Sequence, residues 1–291
     1  MHGKIAFAGL ILALSSTCVS AQEKLPTTTR DDIYCSGIVT TESVPRDSYV
    51  ITGEGSSIKN TFDEGDYVYI NKGANQGVKV GDQFFVVRAM TDPTDVEWTK
   101  WQASIMKKLG KLWADQGRVS VVVVQPDVSI AQVQNSCNYV QRGDIVLPFT
   151  ERPSPPLKSE SNFDRFAPTS GKATAMVING KFWAQSSGTN STVYVNLGAN
   201  QGVRVGDYFR IFRYQGTEHE TAYQIKRVAF EMEPEFGEAG FGAVPKKWNW
   251  SNVPREILGE GIVVRTAPNA SSVLVTYSLR EILSGDYVEL E

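Results

Sequence analysis

VYINKGANQGVKVGDQFFVVR at residues 68–88 returns as VYVNLGANQGVRVGDYFRIFR at residues 193–213, an offset of 125. The shared core GANQGV-[KR]-VGD lies between short β-branched and aromatic runs. These are Val68-Tyr69-Ile70 and Phe84 to Val87 in one stretch, and Val193-Tyr194-Val195 and Phe209 to Phe212 in the other. Such residues fit a half-buried pleated surface, and glycine takes positive φ at little cost. Each stretch therefore predicts strand, turn and strand, with Gly73, Gly77, Gly198 and Gly202 in a hairpin turn. Val78-Lys79-Val80 and Val203-Arg204-Val205 resume the alternation before further turns at Gly81-Asp82 and Gly206-Asp207.

A second correspondence runs at an offset of 142, between residues 117–147 and 259–289. Gly117 meets Gly259, Pro126 meets Pro268, Ser129 meets Ser271, and Gly143-Asp144 meets Gly285-Asp286. The larger offset places an insertion of 17 residues between the two blocks of the second copy. The expectation is an internal duplication: copy one over 33–149, a linker at 150–168 carrying Pro153, Pro155, Pro156 and Pro168, and copy two over 169–291. Further strands are expected at Val121–Val124 and Gly261–Val264, at Val128–Val133 and Ser272–Tyr277, and after the last Gly-Asp step of each copy. Short strands with a turn signal every 8–12 residues indicate a mainly β fold, two tandem small β-barrels or barrel-like sandwiches.

One loop in each copy departs from this pattern. From Glu97 to Gln116, Trp101, Ile105, Leu109, Leu112 and Trp113 fall at helical spacing, which predicts an amphipathic helix plugging one end of the barrel. The corresponding stretch of copy two, 214–258, is longer and aromatic, with Phe241, Trp248 and Trp250 near its end. It reads as a lid, or as a surface for a protein partner or a glycan, because aromatic side chains are enriched at interfaces.

The N-terminus reads as a secretory signal peptide over 1–21: Lys4, an apolar run from Ile5 to Leu14, and Val19-Ser20-Ala21 before Gln22. No later segment is apolar enough for a transmembrane helix. Removal of the signal takes Cys18 with it and leaves Cys35 and Cys137. In an oxidising compartment that pair is most simply one disulfide; the alternative is two separate buried thiols.

Candidates for chemistry are few. The net charge of -3 argues against nucleic-acid binding. His219 would be the only histidine of the processed chain, in a charged stretch without a counterpart in copy one, so no Ser/His/Asp or Cys/His device is supported. No nucleotide, metalloprotease or EF-hand motif occurs, and neither a cofactor nor a metal site is expected. The Gly-Asp steps at Asp82, Asp144, Asp207 and Asp286 could pair for acid–base work, but Asp after Gly also closes turns by accepting backbone N–H bonds. Their matched positions favour architecture. Asp63, Glu64 and Asp66 lack cation-ligand spacing, and Asn190, Asn249 and Asn269 are glycosylation sequons.

At this point the chain resembles a known family. The pattern N-x-G-x-x-x-G-V-x-x-G-D, an aromatic strand, L-G-x-x-x-V and a closing G-D-x-V resembles the C-terminal β-domain of the bacterial flagellar assembly protein T. The matching pieces are Asn71–Arg88 with Leu109–Val146, and Asn196–Arg213 with Leu258–Val288. The resemblance implies a periplasmic or cell-surface scaffold associated with the flagellar motor. The residues and the resemblance together predict an exported, non-enzymatic envelope scaffold that binds another envelope protein or a cell-wall component. The alternative is a glycan-binding module using the aromatic stretch of copy two. Partner identity and oligomeric state are left open.

Overall fold

The structure, a computed structural model, describes residues 27–93, 96–158, 163–214 and 254–291. The first half opens with a short helix α1 (Arg30–Tyr34), β1 (Ile38–Thr40), β2 (Val50–Gly53), β3 (Thr61–Phe62), β4 (Tyr67–Ile70) and β5 (Gln83–Met90). It continues with α2 (Gln102–Leu109), β6 (Lys111–Val124), β7 (Ser129–Ser136), β8 (Val140–Gln141) and β9 (Ile145–Pro148). The second half holds β10 (Thr174–Gly180), β11 (Ser186–Ser187), β12 (Thr192–Val195) and β13 (Tyr208–Arg213). After these come β14 (Glu256–Thr266), β15 (Ser271–Ser278), β16 (Ile282–Leu283) and β17 (Tyr287–Leu290).

The fold is mainly β, and the two halves share one strand order. The first sheet runs β2-β4-β7-β6-β5-β9, and the second closes into a barrel, β10-β12-β15-β14-β13-β17. Their registers agree: Val50 faces Ile70 and Thr52 faces Tyr69 across a bulge, as Val177 faces Val195 and Asn179 faces Tyr194. The first sheet closes more loosely, through the bridge Tyr49↔Ile145 and the bond from Val146 N–H to the Ser48 carbonyl at 2.9 Å. Closure leaves few open edges for unwanted strand pairing.

Period-two alternation fills both interiors. Val68, Ile70, Phe84, Val86 and Val121 are buried in the first, and Val193, Val195, Phe209, Ile211 and Val263 at the matching places of the second. Each such side chain contributes about 1.5–3 kcal/mol relative to exposure.

Three local expectations need correction. GANQG is not a hairpin turn, because β4 pairs with β2 and β7 while β5 pairs with β6 and β9. It is a 3-10 turn (Ala74–Gln76, Ala199–Gln201) that crosses the end of the sheet and rests on the β6–β7 or β14–β15 connection. Ala74 and Asn75 N–H groups donate to the Gln125 and Pro126 carbonyls at 2.8 Å; Ala199 and Asn200 donate to Ala267 and Pro268 at 2.9 Å. A Cβ at Gly73 or Gly198 would collide with the Gln125 or Ala267 carbonyl, and Gly77 and Gly202 end the turn at φ 81° and 86°. Consequently Val78–Val80 and Val203–Val205 are not strands: Val78 and Val203 drop into the cores, while Val80 is exposed.

The third correction concerns the helix. Helix spacing continues to Gln116, but α2 stops at Leu109 because Gly110 adopts φ 102°, its backbone pressed against Thr40. Leu112 and Trp113 then pair with Val39 and Ile38 on one side and with Met90 and Ala89 on the other, so strand bonding overrides the helical pattern. Trp101, assigned to the helix interior by spacing, precedes it at φ 72° and is exposed. Nor does α2 plug its own barrel. Met106 and Leu109, with Val39 and Leu112, pack on Ile178, Tyr194 and Ala270 of the second half.

Candidate functional site

The four Gly-Asp carboxylates occupy equivalent turns. Asp82 Oδ2 accepts the Lys79 N–H and Asp207 Oδ2 the Arg204 N–H, both at 2.8 Å. Asp144 Oδ2 accepts from Gln141 at 2.8 Å and Asp286 Oδ2 from Leu283 at 2.7 Å. Gly81, Gly143, Gly206 and Gly285, which precede them, have φ between 82° and 98°, a range open to glycine without strain.

Asp144 and Asp286 have a further partner. Arg88 donates to Asp144 through Nε at 2.6 Å and Nη2 at 2.8 Å; Arg213 donates to Asp286 at 2.6 and 2.9 Å. Both arginines close the repeated stretches 68–88 and 193–213, yet alternation alone gives an arginine there no role. Their signal was the recurrence of Arg and Asp at both offsets. Burial pushes the Asp286 carboxyl up against the opposing pull of Arg213. Such an ion pair fixes geometry more than it adds net stability.

A second charged group joins the two halves. Asp115, buried, accepts from Gly37 N–H at 2.8 Å and from Arg152 at 3.1 and 3.2 Å, with Arg265 of β14 at 3.4 Å. Burial lowers the Arg265 pKa despite the Asp115 charge beside it. Next to this group, Tyr194 Oη donates to the Ser36 carbonyl at 2.9 Å and Ser272 Oγ to the Gly37 carbonyl at 2.7 Å. Residues 33–40 thereby fasten one half to the other. Arg152 comes from the proline-rich stretch, which is therefore docked along the first half as well as extended.

Cys35 and Cys137 form a disulfide, tying the end of α1 to the residue after β7. Beside it lies a cleft of about 410 Å³ between the halves, with Asp31, Asp32, Lys181 and Thr192 in its walls. Burial lowers the Lys181 pKa, with Asp115, Asp31 and Asp32 acting in the opposite direction. This cleft had no counterpart in the sequence reading, since its walls come from three separate segments, 31–35, 136–137 and 181–192.

The remaining candidates separate. Asp66 Oδ2 pairs with Lys59 and accepts the Asp63 N–H at 2.7 Å, so this oxygen is engaged by protein donors. Among the described residues no group of three or more His, Cys, Asp or Glu is disposed to hold a metal. Asn190 is exposed at φ 66° and Asn269 accepts from Asn200. Phe241, Trp248, Trp250, His219, Asn249 and the segment read as a signal peptide lie outside the described residues. No described helix is long and apolar enough to cross a membrane.

The fold and these contacts define a class: a mainly β, barrel-forming protein whose recurring polar residues are occupied by its own backbone and by each other. Within it, residues 65–148 match the family model of the flagellar assembly protein T C-terminal domain. The matched segment runs from the turn before β4 to the end of β9. It carries the GANQG crossing, the Arg88–Asp144 pair and Cys137. No curated protein sequence matches the chain.

Proposed function

We propose that the chain is an exported, non-enzymatic scaffold of the bacterial cell envelope that works in flagellar assembly, holding another envelope component through two duplicated β-domains. The observation that carries this reading is the family match over 65–148. The shared strand order of the halves supports the duplication, and the disulfide suits a periplasmic or cell-surface location. The Gly-Asp carboxylates support a structural role, because each binds a backbone N–H in its own turn. The experiment is deletion in the host, scored by swimming in soft agar, with tagged protein followed through osmotic-shock release and basal-body purification. The expected result is reduced swimming, release with the periplasmic fraction and co-purification with basal bodies. Wild-type swimming together with absence from basal bodies would remove the flagellar reading.

A further inference from the structure

The junction inside the chain leaves its own counterpart unfilled. On the second half, Ile178, Tyr194 and Ala270 face outward from β10, β12 and the β14–β15 connection, and are at most 2% exposed because the first half covers them. The shared register gives each an equivalent on the first half: Ile51 for Ile178, Tyr69 for Tyr194 and Val128 for Ala270. Ile51 is 39% exposed, while Tyr69 and Val128 are half-buried. Tyr49, which stands where Met176 does, is 41% exposed. The same outward positions thus stay apolar in both halves but are sealed in only one.

The position from which that cover grows is repeated too. In the first half it grows from the β5–β6 end, where Arg88 pairs with Ala114, and the intervening 25 residues (89–113) include α2. In the second half the matching end, where Arg213 pairs with Glu256, carries 42 residues (214–255). Chain is therefore present at the place from which a second cover would start. Charge agrees: Arg142 flanks the face of the first half, bonding Thr52 at 3.2 Å, and residues 215–253 contain six Glu against four Lys and Arg.

We infer that the β2–β4–β7 face around Ile51 and Tyr69 is a docking surface for the second half of another copy of this chain, repeating between molecules the junction made within one. The contact is head-to-tail, since donor and acceptor surfaces differ. It is independent of the flagellar reading: self-association can fail with that role intact, and the reverse.

The test is sedimentation velocity of the full processed chain from about 1 to 100 μM, the range that reports micromolar affinity. Growth in mass with concentration is expected, with Ile51→Asp raising the dissociation constant at least about tenfold. Ile58→Asp, at a 93% exposed position outside this face, should leave it unchanged. A photo-cross-linker at position 51, in mixed light and heavy-isotope protein, should yield mixed-mass products joined to the second half. That measurement decides the matter even where Ile51→Asp misfolds. A single-mass monomer throughout, cross-links confined to one chain, or capture of a different envelope protein in cells would each overturn the inference.

Discussion

Replacing Asp286 with Ala should be among the most damaging single changes to the second barrel. The carboxylate is fully buried, its partner Arg213 has only 8% of its side chain exposed, and three hydrogen bonds of 2.6–2.9 Å converge on its two oxygens. Alanine leaves a guanidinium without its paired carboxylate in a site nearly closed to water, and the Leu283 N–H without its acceptor. Orphaning one member of such a pair costs about 3–5 kcal/mol. In urea unfolding followed by tryptophan fluorescence, with a slope of about 1–3 kcal/mol per molar, the midpoint should fall by at least about 1 M. Asp144→Ala should cost less, because Arg88 keeps 15% of its side chain in solvent. The double change Arg213→Leu with Asp286→Leu should recover more than half of the loss, since it removes the stranded charge. The reasoning fails if Asp286→Ala lies within about 0.5 kcal/mol of wild type, a surface-like effect. It fails equally if the double variant is no more stable than the single one.

Two other expectations follow from the junction. Changing both Cys35 and Cys137 to Ser opens a loop of 102 residues and should cost about 2–4 kcal/mol, read as a lower thermal midpoint, with the wild type under reductant behaving alike. An unchanged midpoint would contradict it. Burial pushes the Tyr194 phenol above its ordinary value, so the folded chain retains that proton where the unfolded chain loses it. Its contribution is whole below about pH 10, the unfolded value, and declines as pH rises beyond it. Tyr194→Phe should therefore flatten the alkaline limb of the stability profile, while costing about 1–3 kcal/mol at neutral pH for the unpaired Ser36 carbonyl. An alkaline limb identical to wild type would refute this.

What the sequence disclosed was what lies close along the chain or recurs at a constant offset. Alternation at Val68-Tyr69-Ile70 and at Phe84 to Val87 marked β4 and β5, and the matched Gly-Asp steps marked turns that their own side chains close. The disulfide followed from counting the two cysteines left after the expected signal cleavage. Strand order was hidden, because GANQG looks the same whether it turns a hairpin or crosses to a strand that is not its neighbour. Its N–H groups are satisfied by carbonyls some 50 residues later, a pairing that no window around residue 75 contains. The extent of α2 was misjudged for a similar reason. Leu112 and Trp113 obey a helical period, but β1 and β5 offer them two ladders at once, and Gly110 lets the backbone turn away. The Asp115 group was invisible to local pattern, since Gly37, Arg152 and Arg265 converge on it from far apart.

The fastening of residues 36–37 to Tyr194 and Ser272 has a temporal consequence. The bonds span 158 and 235 positions, so residues 36 and 37 wait for partners made much later. Such distant closures are slow because a long loop must be ordered before any contact rewards it. The seam between the halves is therefore completed late during synthesis, after each sheet has zipped locally. Until then the side chains destined for it remain accessible, and the two halves are held together only by the chain between them.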